Sequence, residues 1–236
     1  MSSRKLTRSI VVGAAAIAVA GGSYGIVSAT SSSSPAAASA TSSSSTAGGP
    51  ASGGGGSNAR SGPAAGGSSG TVSSLSTAGF TLTTSAGQKV TVKEASSTTY
   101  EKGTSPASAS AITTGESVLV LGTTSSTTIT ATQVTMEPAG NPYTASSAAV
   151  VPFQQGAPST SKTAGQIPAD YTQGSGTIVS GTTANKATEA ALAAYPGGVV
   201  DRVVQLSNGD YEVHTIGVNW PHHIFVNQDF QVIGAE

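Results

Sequence analysis

A tract of forty residues, from Thr30 to Ser69, sets the first limit on what this chain can fold into. It consists of Ser, Ala, Thr, Gly, Pro and a single Asn, its one charged residue is Arg60, and it has no large apolar side chain. Such a segment cannot bury enough apolar surface to offset the entropy lost on ordering. The sequence therefore predicts a disordered tether over residues 30–69.

Large side chains that could build a core are scarce elsewhere too. The 236 residues include four Phe, six Tyr and one Trp, so two small folded units fit better than one enzyme-sized interior. Cysteine is absent, which excludes disulfides and thiolate metal sites. Beyond residue 29 the chain carries seven basic and eleven acidic residues. It lacks the basic stripe of a nucleic-acid-binding protein, so no nucleic-acid partner is expected.

The first 29 residues have the features of an export signal. Arg4, Lys5 and Arg8 precede an uncharged apolar run, Ile10–Ala20, and small residues follow where an export peptidase reads the chain. An uncleaved anchor stays an alternative, because the run and the residues after it also reach the ~20 residues that a spanning helix needs. Either way, the positive-inside rule places the body outside. We expect a secreted or extracytoplasmic protein, in contact with the membrane if this segment stays uncleaved.

Residues 70–137 contain short runs of β-branched residues in period-two alternation, which is typical of strands. The five predicted strands are Val72–Leu75, Phe80–Thr83, Lys89–Val92, Ser117–Leu121 and Thr127–Val134. Five short strands around few large side chains predict a small barrel of the OB type. The stretch resembles an uncharacterised family of bacterial secreted β-domains through Gly70-Thr71-Val72, Phe80-Thr81-Leu82, Thr98-Thr99-Tyr100, Thr114 to Gly122 and Ala131-Thr132-Gln133-Val134.

Residues 138–176 are interrupted by five prolines, which oppose both helix and central strand. The sequence predicts a second linker here. Val150, Val151 and Phe153 form a small apolar group within it, and whether this group docks onto a neighbouring domain or lies exposed is left open.

Residues 177–236 carry the clearest local pattern. Apolar residues from Ala184 to Tyr195 recur at helical spacing, and Pro196-Gly197-Gly198 ends the predicted helix. Asn208-Gly209 is the pair favoured in a two-residue hairpin. Four strands are predicted, at Val199–Leu206, Tyr211–Ile216, His223–Val226 and Phe230–Ile233. A helix covering an antiparallel sheet is an α+β arrangement, so the predicted fold is an OB-like barrel followed by a separate helix-and-sheet domain.

This last region resembles a PepSY domain. The resemblance is carried by Ala190-Ala191-Leu192 before Pro196-Gly197, by Val203, by Tyr211-Glu212-Val213, and by Phe225-Val226 with Phe230-Gln231-Val232. It implies a non-catalytic protein that regulates or inhibits a secreted peptidase, or binds a cell-wall component. A structural spacer or wall-associated scaffold is the alternative of another class.

Trp220, His222 and His223 depart from the PepSY pattern and are the predicted binding residues. An aromatic side chain on a polar loop is often a binding anchor, although Trp220 could instead cover one end of the sheet. His214, His222 and His223 could be combined with Glu212 into a weak metal site, which stays an alternative. Adjacent strand residues point to opposite faces, so we expect no closed metal site and no cofactor.

No catalytic residues are predicted. The run Gly66-Gly67-Ser68-Ser69-Gly70 matches the nucleophile-elbow pattern, but that motif needs a preceding hydrophobic strand and a following helix. His214 or His223 can be combined on paper with an aspartate and a serine, yet nothing in the sequence positions such a triad. We therefore expect a binding protein rather than an enzyme.

Overall fold

Two stretches of the chain, residues 62–137 and 149–236, are described in the computed structural model. Both belong to one unit, Pro50–Glu236. The predictions for residues 1–29, for the tether as far as residue 61 and for residues 138–148 lie outside the described residues. The strands are β1 Ala64–Ser76, β2 Gly79–Thr83, β3 Lys89–Lys93, β4 Thr99–Lys102, β5 Ser105–Pro106, β6 Ser117–Ser125, β7 Thr128–Glu137, β8 Val151–Pro152, β9 Ala164–Gly165, β10 Thr177–Ile178, β11 Val199–Gln205, β12 Tyr211–Ile216, β13 Val218–Trp220, β14 His223–Val226 and β15 Val232–Ala235. The helices are α1 Gly181–Ala194 and a 3₁₀ turn, Ala109–Ala111.

Five strands close into a barrel in the order β1-β2-β3-β7-β6. All the pairings are antiparallel except β3 with β7, which is parallel, and β6 returns to β1 to complete the ring. The predicted strand positions in this region are confirmed, because alternate β-branched residues point inward as expected. Buried apolar side chains fill the interior: Val72, Phe80, Leu82, Val90, Val92, Ile112, Val118, Val120, Ile129, Ala131, Val134, Met136 and Val199.

Strand β1 connects the barrel to the rest of the described chain. One of its edges pairs with β6 from Ala64 to Thr71, and its other edge pairs with β11 at Gly67 and Ser68 before pairing with β2. The sheet then continues through β12, β14 and β15 to β9. The barrel and the C-terminal strands therefore belong to one hydrogen-bonded sheet.

The predicted fold class, an OB-like barrel followed by a separate PepSY-like α+β domain, is wrong. Of the residues that the structure describes, 47% lie in strands, which include a five-stranded barrel, and 14 form the one α-helix. Leu119 and Leu121 on β6 explain the error. Their neighbours Val118 and Val120 point into the barrel, whereas these two leucines point the other way and join the core under α1. Such a run is buried on both faces, so the two cores share a strand.

Strand β1 also corrects the predicted tether, which was wrong from Ala64 onward. A Cβ added to Gly66 would lie 2.0 Å from the carbonyl oxygen of Val200, and one added to Gly67 would lie 2.3 Å from the carbonyl oxygen of Val120. Only glycine allows such close approach of neighbouring backbone. The Gly/Ser-rich segment that was predicted as a tether is thus part of a central strand. The apolar residues around it come from distant segments of the chain.

Helix α1 packs its predicted stripe on the C-terminal strands, and that local prediction is confirmed. Its buried residues are Ala184, Ala187, Thr188, Ala191 and Leu192. A hairpin joins β11 to β12 at Asn208-Gly209 as predicted, but its two-residue form is wrong. The Leu206 N–H donates to the carbonyl of Asp210 at 2.8 Å and closes a three-residue loop, in which Gly209 has a φ of +90°. Within the described residues, no helix combines the length and apolar character needed to cross a bilayer.

Residues 149–179, which we call the strap, reach both faces of the C-terminal sheet. Ala149, Val151, Ala164 and Val179 pack against the core under α1, whereas Tyr171 contacts Phe225 on the opposite face. The strap pairs with the sheet or its loops at three places, β8 with β13, β9 with β15 and β10 with β11. Val151 packs against the core and Phe153 is 57% exposed. Residues 149–179, predicted as a linker, are therefore part of the folded unit. Backbone hydrogen bonds hold them in place, although their side chains show no periodic pattern.

Candidate functional site: a histidine-lined pocket under the strap

A polar, open cavity of about 460 Å³ lies between the strap and the outer face of the C-terminal sheet. The strap contributes Ser159–Thr163 and Gln173 to its walls, and the sheet contributes His214, His222, His223 and Glu236. All three histidines of the chain therefore line one cavity.

Strand register brings two of these histidines together. His214 on β12 and His223 on β14 are directly paired, so their side chains share the outer face. The alternation of β12 places Glu212 on the same face as His214, while Val213 between them packs under α1. His222 precedes β14 and reaches the cavity from its rim.

Each histidine has an acceptor beside its Nδ1 atom. Asp201 Oδ1 lies 2.5 Å from Nδ1 of His214, and Glu212 Oε1 lies 2.6 Å from Nδ1 of His223. The carbonyl oxygen of Thr215 lies 3.3 Å from Nδ1 of His222. Carboxylates and carbonyls only accept hydrogen bonds, so each Nδ1–H donates. The Nε2 atoms take no part in these three hydrogen bonds.

The acidic partners are themselves held in place. Glu212 is buried, with its side chain 3% exposed, and Arg202 donates to the second oxygen of Asp201 at 3.3 Å. Burying a carboxylate is costly unless it is paired. The carboxylates on this face therefore need the histidines as partners, and the same two pairs hold the imidazoles in a fixed orientation.

Burial lowers the pKa of His222, and the nearby His214 and His223 add to this effect, while the hydrogen bond to Thr215 opposes it. A neutral His222 accepts a hydrogen bond at Nε2, and the Ser159 hydroxyl lies 3.4 Å from that atom. This Ser–His contact is at the outer limit of hydrogen-bond distance.

Tyr171 of the strap packs next to the pocket, against Phe225 and His223. Its ring contacts Phe225 edge-on, with the centroids 4.7 Å apart, and lies 5.7 Å from the His223 ring. Burial raises the pKa of Tyr171, and the carboxylates of Glu212 and Glu236 raise it further. Its hydroxyl is buried with no hydrogen-bond partner in the structure.

Trp220 does not lie where the sequence placed it. It is 1% exposed, so the prediction that it is a contact residue on an open loop is wrong. Its Nε1–H donates to the carbonyl of Lys162 at 2.7 Å, and the Lys162 ammonium lies 4.2 Å from the centre of the indole. Tyr195 packs edge-on against the same ring. Trp220 therefore fastens the strap, whereas His222 and His223 do line the cavity.

Sequence reasoning missed Lys162 and Glu236 as parts of this site, and it combined Asp201 with His214 only in a triad that nothing in the sequence positions. Asp201 reaches His214 from the neighbouring strand, Lys162 comes from the strap, and Glu236 follows β15. No spacing in the sequence links these residues. The only usable signal was that Glu212 and His214 lie on the same face of one strand. Two ligands are too few for a closed metal site, so the signal was set aside.

Catalytic and metal-binding alternatives can be compared with this geometry. In the described part of the chain, no group of three or more His, Cys, Asp or Glu side chains is gathered so as to hold one ion. Ser68 and Ser69, from the match to the nucleophile elbow, are buried in β1. A larger cavity of about 640 Å³ opens beside the start of α1, but none of the described residues that line it is ionisable.

Comparison with known proteins found no matching family model, curated protein or solved structure. The resemblances to a PepSY domain and to a secreted β-domain are therefore not supported by any match. Inferences about function rest on the pocket and on the sequence.

Proposed function

We propose that this chain is a non-catalytic binding protein of the cell envelope that captures a polar ligand or partner in the pocket under the strap. The observation that carries this proposal is the convergence of three imidazoles, all oriented through Nδ1, on one open polar cavity. Clusters of ionisable groups in a cleft are candidate functional sites. The fold itself uses the Nδ1 atoms and leaves the Nε2 edges for a ligand.

The extracytoplasmic location is part of the proposal and is supported by the sequence alone. The basic residues Arg4, Lys5 and Arg8 and the apolar run after them favour export, by a cleaved signal or an uncleaved anchor. A reporter enzyme that is active only outside the cytoplasm, fused after Glu236, should be active. A reporter that is active only in the cytoplasm should be silent at the same position.

The proposed partner is a secreted peptidase or a cell-wall component, an expectation that comes from the sequence resemblance alone and not from the fold. The structure changes which surface of this protein would contact such a partner. Trp220 is buried, so the surface that presents His222 and His223 to a partner is the pocket rim, together with the exposed Ser159–Ser161 segment of the strap.

A bulky side chain at the rim tests the binding role. Ser159→Trp should fill part of the cavity without disturbing the core, since Ser159 is exposed. The matched control is Ser97→Trp, at an exposed turn of the barrel region. Full-length tagged proteins would be cross-linked in native envelope fractions and the captured components compared. The full chain is needed because β6 and the strap both complete the C-terminal core.

We expect wild type and Ser97→Trp to capture the same components and Ser159→Trp to lose them. A protease among those components would identify the regulated partner. Equal capture by all three proteins, or no capture by wild type, would overturn the proposal and leave the structural spacer as the explanation.

A further inference from the structure

We infer that the ligand of this pocket is a divalent transition-metal ion, anchored by the Nε2 atoms of His214 and His223. This inference rests on the proposed binding role of the pocket. It assigns the ligand class, which the proposed function leaves open.

The spacing of the two imidazoles is the first support. Their ring centroids are 5.1 Å apart, and the planes are tilted by 60°. Metal–nitrogen bonds of about 2.0–2.1 Å in tetrahedral geometry place the centres of two ligating imidazoles about 5 Å apart. The strand register that pairs His214 with His223 therefore sets a separation that one ion can bridge.

The second support is the partner at each Nδ1. Metal-binding histidines commonly donate this N–H to a carboxylate, which fixes the tautomer and increases the basicity of Nε2. Asp201 does this for His214 and Glu212 does it for His223. The pairs that this face requires to bury its carboxylates therefore also place both imidazoles in the tautomer that can bind a metal through Nε2.

Fixed charges around the pocket favour a cation. The carboxylates of Asp201, Glu212 and Glu236 outnumber the basic groups of Lys162 and Arg202. An oxoanion such as phosphate would face this excess of negative charge. A sugar would lack a stacking surface, because the nearby Trp220 is buried. Imidazole nitrogen is a ligand that suits zinc, copper and nickel.

The remaining coordination positions are open. His222 is further away, with its ring centroid 6.5 Å from that of His214, and the described residues gather no third ligand at the pair. Water completes the shell. An ion held by two protein ligands exchanges readily, which suits capture or transfer better than a structural role.

The chain is well suited to a direct test, because it has only three histidines and no cysteine. Tag-free, full-length protein would be titrated calorimetrically with Cu²⁺, Zn²⁺ and Ni²⁺, with Mg²⁺ as the hard-cation control and inorganic phosphate as the anion control. We expect one site per chain, tightest for Cu²⁺ in accordance with the Irving–Williams order, and no uptake of Mg²⁺ or phosphate.

Three variants assign the ligands. His214→Ala and His223→Ala should each abolish saturable binding, and Asp201→Asn should weaken it by about 10–100-fold through loss of the Nδ1 partner. Asp229→Asn, an exposed carboxylate outside the pocket, is the matched control and should bind as wild type.

NMR of the imidazole nitrogens in wild type removes any dependence on variant folding. Zinc should shift Nε2 of His214 and His223 and leave both Nδ1 atoms protonated.

The metal assignment is overturned if wild type takes up none of the three metals, if uptake survives in the His214→Ala/His223→Ala double variant, or if phosphate binds in place of metal. Its failure is distinguishable from that of the proposed function. If Ser159→Trp still loses its captured components while no metal binds, the binding role stands and only the ligand class is wrong.

Discussion

The barrel and the C-terminal sheet bury their side chains in different ways. The barrel interior is filled almost wholly by aliphatic groups, whereas the C-terminal sheet is apolar toward α1 and charged toward the strap. A filled interior leaves no space for a ligand. Polar groups that a fold buries at a cost mark the place where function overrides packing. The comparison therefore points to the strap face, and not to the barrel, as the working surface.

The two regions are nevertheless joined through β6. Val120 belongs to the barrel core and Leu121 belongs to the core under α1, although the two residues are adjacent. A change on either side of this strand should thus be felt by both cores.

The largest expected effect comes from Leu121→Ala. Truncating this 1% exposed leucine should cost about 3 kcal/mol of unfolding free energy, through lost burial and the cavity left behind. Urea unfolding should be followed by far-UV circular dichroism, which reports both regions, and by fluorescence of the single tryptophan, Trp220, which reports the C-terminal region. The two probes should give one coincident transition. Two separated transitions would contradict the shared strand, because they would mean that the barrel and the C-terminal region unfold as independent modules.

The control for this prediction is Leu75→Ala on the same barrel. Leu75 is 53% exposed, so its truncation should change the unfolding free energy by less than about 0.5 kcal/mol. A large effect there would mean that exposure in the structure does not describe the protein in solution.

A smaller effect, of opposite sign, is expected for Thr188→Val. Thr188 lies on the buried face of α1, and its hydroxyl has no hydrogen-bond partner in the structure. Replacing it with a methyl group of similar shape should raise the unfolding free energy by about 1 kcal/mol, since an unsatisfied buried hydroxyl is destabilising. Thr182→Val, on the exposed first turn of the same helix, is the control and should be close to neutral. Destabilisation by Thr188→Val would show that the apolar face of the sheet also relies on polar contacts.

The smallest effect concerns the pH dependence of the strap face. Because the pKa of His222 is lowered below its ordinary value of 6.5 by burial, the unfolded chain binds a proton there more readily than the folded chain does. The associated stability is present above pH 6.5 and is lost as the pH falls through 6.5 toward the folded pKa. Urea midpoints of wild type and His222→Gln between pH 8 and pH 5 should show this. The wild-type midpoint should fall more steeply with acidification, and parallel curves would contradict the assignment.

Elements with a strong local signal were predictable. The helical stripe from Ala184 to Leu192 and the turn at Asn208-Gly209 depend on residues close in sequence. The stripe is confirmed, and so is the position of the turn, although its loop has three residues and not two. The barrel strands were located for the same reason. The run from Gly66 to Gly70 gave the opposite outcome, because its composition is that of a tether and its burial depends on Val200, Val120 and α1.

The candidate site could be predicted only in part. His222 and His223 were singled out because they depart from the pattern around them, and both line the pocket. Trp220 was singled out for the same reason and proved to be a buried fastener of the strap. Asp201 was only one of three aspartates that could be combined with a histidine, and Lys162 carried no signal, because the contacts that give them a role span 13 and 58 residues.

By itself, the sequence located helix α1, the turn at Asn208-Gly209 and the strands whose apolar residues alternate, because these depend on propensity and periodicity within a few residues. Tertiary structure alone decided that β1 is a central strand, that β6 is buried on both faces, and that the strap closes over three histidines. The physical reason is that local periodicity says only that a face is buried. The segment that buries it comes from a distant part of the chain, and that pairing leaves no mark in the sequence nearby.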